Sequence, residues 1–381
     1  MREVVIVAGE ASGDLHAAGV ARELRALRPD LALVGIGGHH MEEAGVTLLE
    51  RAERLAVMGF VEVLRHVPAH WRLLRQLEAR LRGGDVALLV LLDYPGFNMK
   101  LADAAHRAGV PVLYYITPQV WAWGAKRIPR LARTVTKAAV IFSFEETLLR
   151  EAGVDAEFVG HPLLDHVHEL PDAVEARQRL GLDPARPVLA LFPGSRRQEI
   201  ARHLEVFVAV ARELQRRRPL LQVVVSVAPT VDVDPARCPF PAVRGESMTV
   251  LRAASAALCK SGTTTLQAAV ADCPLVVAYR TNPWTYRIAR RVVRIPHIGL
   301  VNIVAGREVA REFVQEALLP EQVADALTPL LDEGSAAREA LRRELAHVRA
   351  RLGEPGAAAR VARLASALAS RSAAPSGAAR A

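Results

Sequence analysis

Apolar runs of strand length alternate with helical patterns along most of the chain. In the first half the strand-length runs cover residues 4–8, 31–36, 86–92, 110–116, 140–144 and 156–159. In the second half they cover residues 188–192, 222–227, 256–259 and 274–278. Between the runs, apolar residues recur at spacings of three and four, which predicts helices. Each half therefore predicts its own α/β domain with a parallel sheet, and we expect a hinge near residues 166–172.

The stretch 187–200 is a strand–loop–helix unit whose loop is polar. Such a loop directs backbone N–H groups and a helix N-terminus to one point, which suits an anion. Ser195 adds a hydroxyl, and Arg196 or Arg197 adds a planar cation that can hold phosphate with two parallel hydrogen bonds. The alternative is an ordinary connection with solvated arginines.

A second loop, Ser261-Gly262-Thr263, has the same character. It follows an apolar strand and precedes a helical pattern, so small residues and hydroxyls again lie where an anion can approach the backbone. Two such loops in one half favour phosphate binding over the plain alternative. The first βα loop, residues 9–14, does not read GxGxxG, and no Walker A motif occurs in the sequence, so neither a dinucleotide fingerprint nor an ATPase is indicated.

Carboxylate and aromatic residues follow the strands of the first half. Asp93 comes directly after the continuous apolar run 86–92, where open α/β sheets place their ligands. The alternative role for Asp93 is to cap the next turn. Trp121 and Trp123 lie two residues apart in a predicted loop, a position more typical of a pocket wall than of a core.

Residues 55–82 combine an apolar segment with a basic one. A helix over this stretch has a broad apolar face beside arginines, which is most often a core-packing pattern. The functional alternative is a membrane-surface patch, in which apolar side chains dip between lipids and arginines meet phosphates.

Composition narrows the class of protein. With 381 residues and 51% hydrophobic residues, the chain can form two domains. The net charge of +8 permits anionic partners, but aromatics at 5% and the lack of a recognisable motif disfavour nucleic acid. The three cysteines form no CxxC pair and the histidine pairs lack a third ligand, so we expect no metal site. No apolar run is long enough for a membrane span, so we expect a soluble or peripheral protein.

Eight segments together resemble the lipid-A-disaccharide synthase family. They are AGEASGD at 8–14, LAVMGFVEVL at 55–64, DYPGFN at 93–98, YITPQVWAWGAKRI at 115–128, VGHPLLD at 159–165, LFPGSRRQEI at 191–200, KSGTTTLQAA at 260–269 and VNIVAGRE at 301–308. The resemblance runs in order from about residue 4 to 330. The VWAW and MGFVEVL segments are specific to this family, whereas PGSR and SGT are shared more widely.

The resemblance implies a GT-B fold, in which two Rossmann-like domains face each other across a cleft and a C-terminal helix returns to the N-terminal half. We expect an acceptor and membrane-facing domain at 1–168 and a UDP-sugar-binding domain at 169–345. A helical segment at 346–369 is expected to cross back or to be swapped in a homodimer, and 370–381 to be a disordered tail.

The implied reaction is metal-independent and inverting, and it needs no cofactor. UDP-2,3-diacylglucosamine donates its sugar to the 6-hydroxyl of 2,3-diacylglucosamine 1-phosphate, giving a β(1→6) disaccharide 1-phosphate and UDP. The acylated substrates imply a cytoplasmic protein that is peripheral at the inner face of the cytoplasmic membrane.

Roles for single residues follow from the matching motifs. Asp93 is the expected base, with Glu10 second. The residues expected to bind the UDP-sugar are Ser195, Arg196, Ser261, Gly262, Thr263, Gln267 and Asn302. The residues expected near the acceptor or the cleft are Ser12, Met58, Asn98, Trp121, Trp123 and His161, the last more in a structural than in a catalytic role. For Asn302 the alternative is a loop residue that satisfies its own backbone.

Two positions depart from the family pattern. Gln267 stands where a glutamate is usual, which removes a charge from the expected ribose contact, and Val301 replaces a proline. Other readings stay open: another GT-B transferase or epimerase acting on a UDP-aminosugar, or a non-catalytic nucleotide-sugar-binding protein.

Overall fold

The computed structural model describes residues 2–52, 60–229, 231–284, 286–287 and 296–371, except the side chains of residues 11, 60–69, 123, 166 and 168. Two compact units divide the chain. The first comprises Met1–Asp165 together with the segment that starts at Gly353, and the second is His166–Leu352. None of the described helices is long and apolar enough to cross a bilayer.

The first unit contains a seven-stranded parallel sheet with the order β3-β2-β1-β4-β5-β6-β7. The strands are β1 Glu3–Ala8, β2 Ala32–Gly37, β3 Thr47–Arg51, β4 Val86–Leu92, β5 Val112–Tyr115, β6 Lys137–Val140 and β7 Ala156–Phe158. The helices between them are α1 Ala11–Leu27, α2 His39–Glu43, α3 Phe60–Arg82, α4 Pro95–Arg107, α5 Ile128–Thr134 and α6 Ser143–Glu151. Every residue of β4 is buried, because helices cover both faces of the sheet.

The second unit contains a six-stranded parallel sheet with the order β10-β9-β8-β11-β12-β13. The strands are β8 Val188–Phe192, β9 Gln222–Val227, β10 Ala242–Arg244, β11 Ala256–Lys260, β12 Leu275–Tyr279 and β13 Glu312–Val314. The helices are α7 Ala173–Arg179, α8 Arg197–Arg217, α9 Ser247–Ala253, α10 Thr264–Val270, α11 Leu300–Ala305, α12 Pro320–Leu327 and α13 Ala336–Arg351. Shorter helical turns lie at Val120–Gly124, Ala125–Arg127, Pro162–Glu169, Gln315–Ala317 and Thr328–Leu330.

The predicted fold class is confirmed: the chain is α/β, with two domains built on parallel sheets. The sequence pattern missed three of the four edge strands, β3, β10 and β13, which are only three to five residues long. Their residues are partly exposed, so they lack the continuous apolar run that marks a central strand.

The strand predicted at 140–144 was misplaced. The strand ends at Val140, and α6 begins at Ser143 although the apolar run continues. The Glu145 carboxylate accepts the Phe142 N–H at 3.3 Å, which starts the helix there.

The last helix, α14 Ala357–Arg371, belongs to the first unit. Its apolar face lies in the same core cluster as α1 and the first sheet, through Val361, Ala362 and Ala365. Asp165 binds its start: the carboxylate accepts the N–H groups of Gly356, Ala357 and Ala358 at 2.8, 3.1 and 3.2 Å. A carboxylate at a helix N-terminus satisfies donors that the helix itself cannot. The predicted return of a C-terminal helix to the N-terminal half is therefore present in this single chain.

The Asp165→Ala variant should lower the free energy of unfolding by about 1–2 kcal/mol, because three N–H groups at the start of α14 lose their acceptor. Urea denaturation followed by circular dichroism measures this. Asp155→Ala is the matched control, since the Asp155 side chain is 63% exposed beside Lys137 and should cost less than about 0.5 kcal/mol. Equal losses in both variants would contradict the role of Asp165.

Candidate functional site

The order of strands in the first sheet reverses between β1 and β4. The chain moves outward from β1 to β2 and β3, then returns to the other side of β1 as β4. Ala8 and Leu92 are paired at the carboxyl ends of these two strands, and Glu10 and Asp93 follow directly. Open α/β sheets bind ligands at such a switch point. The two predicted carboxylates are therefore brought to the same edge of the sheet.

The backbone at Asp93 is held in an unusual conformation. Asp93 and Tyr94 have φ angles of 45° and 46°, in the left-handed region that non-glycine residues rarely adopt. The Asp93 carbonyl accepts Asn98 Nδ2 at 2.8 Å and Tyr114 Oη at 2.8 Å, and its N–H donates to Ile116 O at 3.3 Å. Ile116, at the end of the next strand, also has a positive φ of 58°. Strained backbone fixed by several hydrogen bonds is typical of functional sites.

Asn98 therefore supports the Asp93 turn from the protein interior. It was expected near the acceptor, but its side chain is fully buried, and Nδ2 also donates to Leu92 O at 3.0 Å. Its contribution is to fix the turn that carries Asp93.

Tyr94 links the two predicted carboxylates. A Cβ at Gly9 would lie 2.4 Å from Cγ of the Tyr94 ring, so only glycine leaves room for this ring beside Glu10. Burial, together with the negative charge of Glu10, raises the pKa of Tyr94. The Tyr94 hydroxyl is 2.8 Å from His70 Nε2. The ring thus packs against the loop of one carboxylate while its backbone adjoins the other.

Two further residues of the 8–14 motif, Ser12 and Asp14, differ in their exposure. Ser12 is exposed in the first turn of α1. Asp14 is buried and accepts the N–H groups of Gly38, His40 and Met41 at 2.6, 3.0 and 3.1 Å. Asp14 therefore starts α2 rather than facing a ligand. Met58 lies outside the described residues.

Trp121 is fixed by a buried carboxylate that the sequence analysis did not single out. Its Nε1 donates to Glu145 Oε1 at 2.8 Å, and its ring meets Phe144 edge-on with 5.4 Å between centroids. Burial raises the pKa of Glu145 to about 7, although the Trp121 and Phe142 N–H groups favour its ionised form. The side chain of Trp123 lies outside the described part of the molecule.

His161 is buried. Burial and the neighbouring His16 lower the pKa of His161 to about 3, so its ring is neutral at physiological pH. Its Nδ1 accepts the Leu163 N–H at 3.2 Å, and its ring lies 5.5 Å from that of Phe142.

The second sheet has its own switch point, between β8 and β11. Phe192 and Cys259 are paired there, so the predicted loops at 193–196 and 261–263 leave adjacent strands at the same edge. Ser195 and Arg196 are exposed, as is Thr263, while Gly262 is half-buried. The two predicted phosphate loops are thus neighbours.

An ion pair joins these two loops. Glu199, in the first turn of α8, accepts Lys260 Nζ at 2.8 Å through Oε1 and the Ser195 N–H at 3.0 Å through Oε2. The Glu199 and Lys260 side chains are only 17% and 18% exposed. Burial acts to raise the pKa of Glu199, but Lys260, Ser195 and Arg196 together hold it below its ordinary value.

His203 adds a second link one helical turn later. Its Nδ1 is 2.7 Å from Glu199 O, and its Nε2 accepts the Arg280 N–H at 2.8 Å. This pattern requires a neutral ring protonated at Nδ1. Burial lowers the pKa of His203, in agreement. The start of α8 is thereby tied to the ends of β11 and β12.

Two of the residues predicted to bind the UDP-sugar, Ser261 and Gln267, have side-chain hydrogen bonds inside the protein. Ser261 donates its hydroxyl to Ile298 O at 2.6 Å and its N–H to Ala278 O at 3.0 Å. Gln267 Nε2 donates to Ser247 Oγ at 3.3 Å. For Ser261 the arrangement favours support of the loop over direct donation to a ligand.

Asn302 has its side-chain hydrogen bonds inside the protein, which agrees with the alternative to a ligand contact. It is fully buried, its Nδ2 donates to Ala310 O and Glu312 Oε1, and its Oδ1 accepts the N–H groups of Val309 and Ala310. A direct hydrogen bond between the Asn302 side chain and a bound UDP-sugar would require one of these four bonds to break.

Among the described residues, no group of three His, Cys, Asp or Glu side chains is arranged to hold a metal ion. The three cysteines are buried and free. Burial raises the pKa of Cys259 and Cys273, so neither thiol is activated.

Comparison with known proteins identifies the family. The model of the lipid-A-disaccharide synthetase family matches residues 4–362. The chain is 42% identical over 370 residues to the lipid-A-disaccharide synthase of Trichlorobacter lovleyi, covering 95% of this chain and 96% of that protein. It is 43% identical over 372 residues to the one of Anaeromyxobacter dehalogenans, covering 94% and 96%. The chain belongs to the lipid-A-disaccharide synthase family.

Solved structures with low sequence identity share the fold of this family member. The calicheamicin glycosyltransferase CalG4 superposes with a TM-score of 0.60 at 17% identity, covering 97% of this chain and 99% of that one. A UDP-GlcNAc 2-epimerase from Neisseria meningitidis, bound to UDP-GlcNAc, gives 0.60 at 11% identity, covering 97% and 100%. At these identities the likeness concerns the fold, which is of the GT-B class.

Four residues of the candidate site escaped the sequence analysis: Tyr94, Glu145, Glu199 and Lys260. Two of them carried a signal. Glu199 lies three residues after Arg196, the spacing at which an acidic side chain caps a helix start. Lys260 is one of four lysines in a chain whose other basic residues are arginines. The contact between Trp121 and Glu145 joins the helical turn Val120–Gly124 to α6, 24 residues apart, and so no local sequence pattern indicates it.

The raised pKa of Glu145 predicts a pH dependence of stability. A carboxyl whose pKa rises from 4.5 to about 7 on folding stabilises the protein below pH 4.5, and this stabilisation is lost as pH rises to about 7. Relative to Glu145→Gln, the wild type should lose about 3 kcal/mol of unfolding free energy across that window and no more above it. Urea denaturation of both proteins between pH 4.5 and 8 tests this. A difference independent of pH would contradict it.

Proposed function

We propose that this chain catalyses the reaction of its family. UDP-2,3-diacylglucosamine is the donor, 2,3-diacylglucosamine 1-phosphate is the acceptor, and the products are a β(1→6) disaccharide 1-phosphate and UDP. The observation that carries this proposal is the family match over residues 4–362. The placement of the two motif clusters, each at the switch point of its own sheet, supports it.

In this proposal the second unit holds UDP. Arg196 and the backbone of residues 194–196 lie at the start of the 21-residue helix α8, where the helix dipole favours negative charge. Gly262 and Thr263 supply the neighbouring loop. Positive charge and N–H groups stabilise the diphosphate as the bond to the sugar breaks.

The first unit supplies the base. Asp93 removes the proton of the acceptor 6-hydroxyl while that oxygen attacks the anomeric carbon of the donor from the face opposite UDP. The new carbon–oxygen bond forms as the bond to the β-phosphate breaks, which inverts the anomeric centre to β. The fixed backbone at Asp93 supports this role, because a base must be held in reach of its proton.

The Asp93→Asn variant should lower kcat by about 10²- to 10⁴-fold, because the amide cannot accept the proton. Asparagine tolerates the left-handed backbone, so the turn should persist. UDP release and disaccharide formation from defined acylated substrates, followed by mass spectrometry, measure the effect.

Two further variants complete this experiment. Asp155→Asn, at the surface of the same unit, should leave kcat unchanged. Glu10→Gln should cost less than Asp93→Asn; the reverse order would make Glu10 the base. Wild-type protein that forms no disaccharide, or that epimerises the UDP-sugar, would overturn the proposed function.

We further propose that α3 lies beside a membrane surface. In its described part, Leu73, Leu74 and Leu77 are buried, as the core-packing alternative predicts. Beside these residues, Trp71 is 50% exposed, with Lys100 Nζ 4.8 Å from its ring centroid. Tryptophan beside basic residues suits the lipid headgroup region. This supports a peripheral position at the inner face of the cytoplasmic membrane; the preceding apolar segment 55–59 lies outside the described residues.

Binding to vesicles of phosphatidylglycerol and phosphatidylcholine should therefore fall as salt rises, because the arginine–phosphate attraction is screened. Arg72→Glu should weaken partitioning by about fivefold or more at low ionic strength. Arg150→Glu, exposed on α6, is the control. Sedimentation measures bound protein, and absence of binding at low salt would refute the membrane role.

We also propose, from the family resemblance, a homodimer in which the two copies exchange their C-terminal helices. The contacts between Asp165 and the start of α14 would be the same in a swapped pair, with the helix supplied by the second copy. Each first unit would then keep its core complete.

A further inference from the structure

The ion pair between Glu199 and Lys260 lies directly over the turns of the two phosphate loops. At Gly194, with φ of 136°, an added Cβ would lie 2.7 Å from Glu199 Oε2. At Gly262 an added Cβ would lie 3.6 Å from Lys260 Nζ. Each glycine turn therefore faces one member of the pair, and the pair closes the gap between the loops.

Glu199 occupies groups that an anion would otherwise use. One carboxylate oxygen accepts the Ser195 N–H, and the other accepts the Lys260 ammonium. Arg196 also acts on this carboxylate, since it contributes to the lowered pKa of Glu199. An acidic side chain thus neutralises the positive charge in the loops assigned to the diphosphate.

We propose that Glu199 is the built-in counter-ion of the diphosphate site, which holds both loops in register and limits the strength with which they bind UDP. This inference rests on the proposed function. A site with uncompensated Lys260 and Arg196 would bind the product UDP tightly, and tight product binding slows release. The counter-ion keeps the loops in place for the transition state while it weakens the hold on the product.

The direction in which each substitution changes the Kd for UDP distinguishes this role from a merely structural one. Glu199→Gln keeps the shape and an oxygen that can accept the Ser195 N–H, but it removes the negative charge. Lys260 then acts on the diphosphate without its counter-ion, so the Kd for UDP should fall. Lys260→Met leaves a mostly buried carboxylate uncompensated beside the diphosphate, so the Kd should rise.

Isothermal titration of the full-length protein with UDP tests the proposal. Glu199→Gln should tighten UDP binding by about threefold to tenfold, the range for a partly buried ion pair, and should slow UDP release in a stopped-flow chase by a similar factor. Lys260→Met should weaken binding by about tenfold. The double variant should return to within about threefold of wild type.

Glu213→Gln is the matched control. Glu213 lies on the same helix and is paired with Arg216 and Arg217, but it is 14 residues from Glu199, which is about 21 Å along α8. Its UDP affinity should equal that of the wild type. Lys260→Arg, which keeps the charge, should stay within about threefold of wild type.

Glu199→Gln that folds but binds UDP more weakly than wild type, or equally, would overturn the proposal. If this variant does not fold, Lys260→Met and Lys260→Arg decide: equal affinity in the two would overturn it. Wild-type protein that binds UDP but forms no disaccharide would refute the proposed function alone. Wild-type turnover combined with the wrong sign for Glu199→Gln would refute this inference alone.

Discussion

The reversal of strand order in each parallel sheet is the constraint on which the candidate site depends. In a parallel sheet the carboxyl ends of all strands lie at one edge, and here helices cover both faces. Where the chain turns back past its first strand, the two adjacent loops lead to opposite faces and leave room for a ligand. In the first unit this point brings together Glu10 and Asp93, and in the second it brings together residues 193–196 and 261–263.

The two switch points are stabilised in different ways. Around Asp93 the turn is maintained by neutral hydrogen bonds from Asn98 and Tyr114, and by the Tyr94 ring packed on Gly9. These contacts fix the position of Asp93, as the proposed role of a base requires. Around Ser195 the loops are maintained by the ion pair of Glu199 with Lys260. In the proposed function these loops hold a diphosphate, and Glu199 is the proposed counter-ion that limits their excess positive charge.

The C-terminal helix shows that sequence distance does not decide membership of a domain. The chain leaves the first unit near Asp165 and returns at Gly353 to complete its core. Asp165 itself binds the start of the returning helix, so one residue at the point of departure also fixes the point of return.

The sequence alone determined the fold class, the central strands and the motif loops that follow them. Central strands such as β4, β8 and β9 are predictable because burial on both faces demands a continuous apolar run. Asp93, Glu10 and Arg196 were identified because they lie in segments that resemble motifs of the family.

Only the tertiary structure decided which of these side chains are exposed at the loops and which have hydrogen bonds inside the protein. Asn98, Asn302 and Ser261 read as ligand contacts in their motifs, yet their hydrogen bonds run to backbone groups or to the Glu312 side chain. The partners of Trp121 and Lys260 come from helices α6 and α8, 24 and 61 residues away in the chain. A buried polar group must find a partner wherever the fold supplies one, and that partner leaves no periodic trace in the sequence.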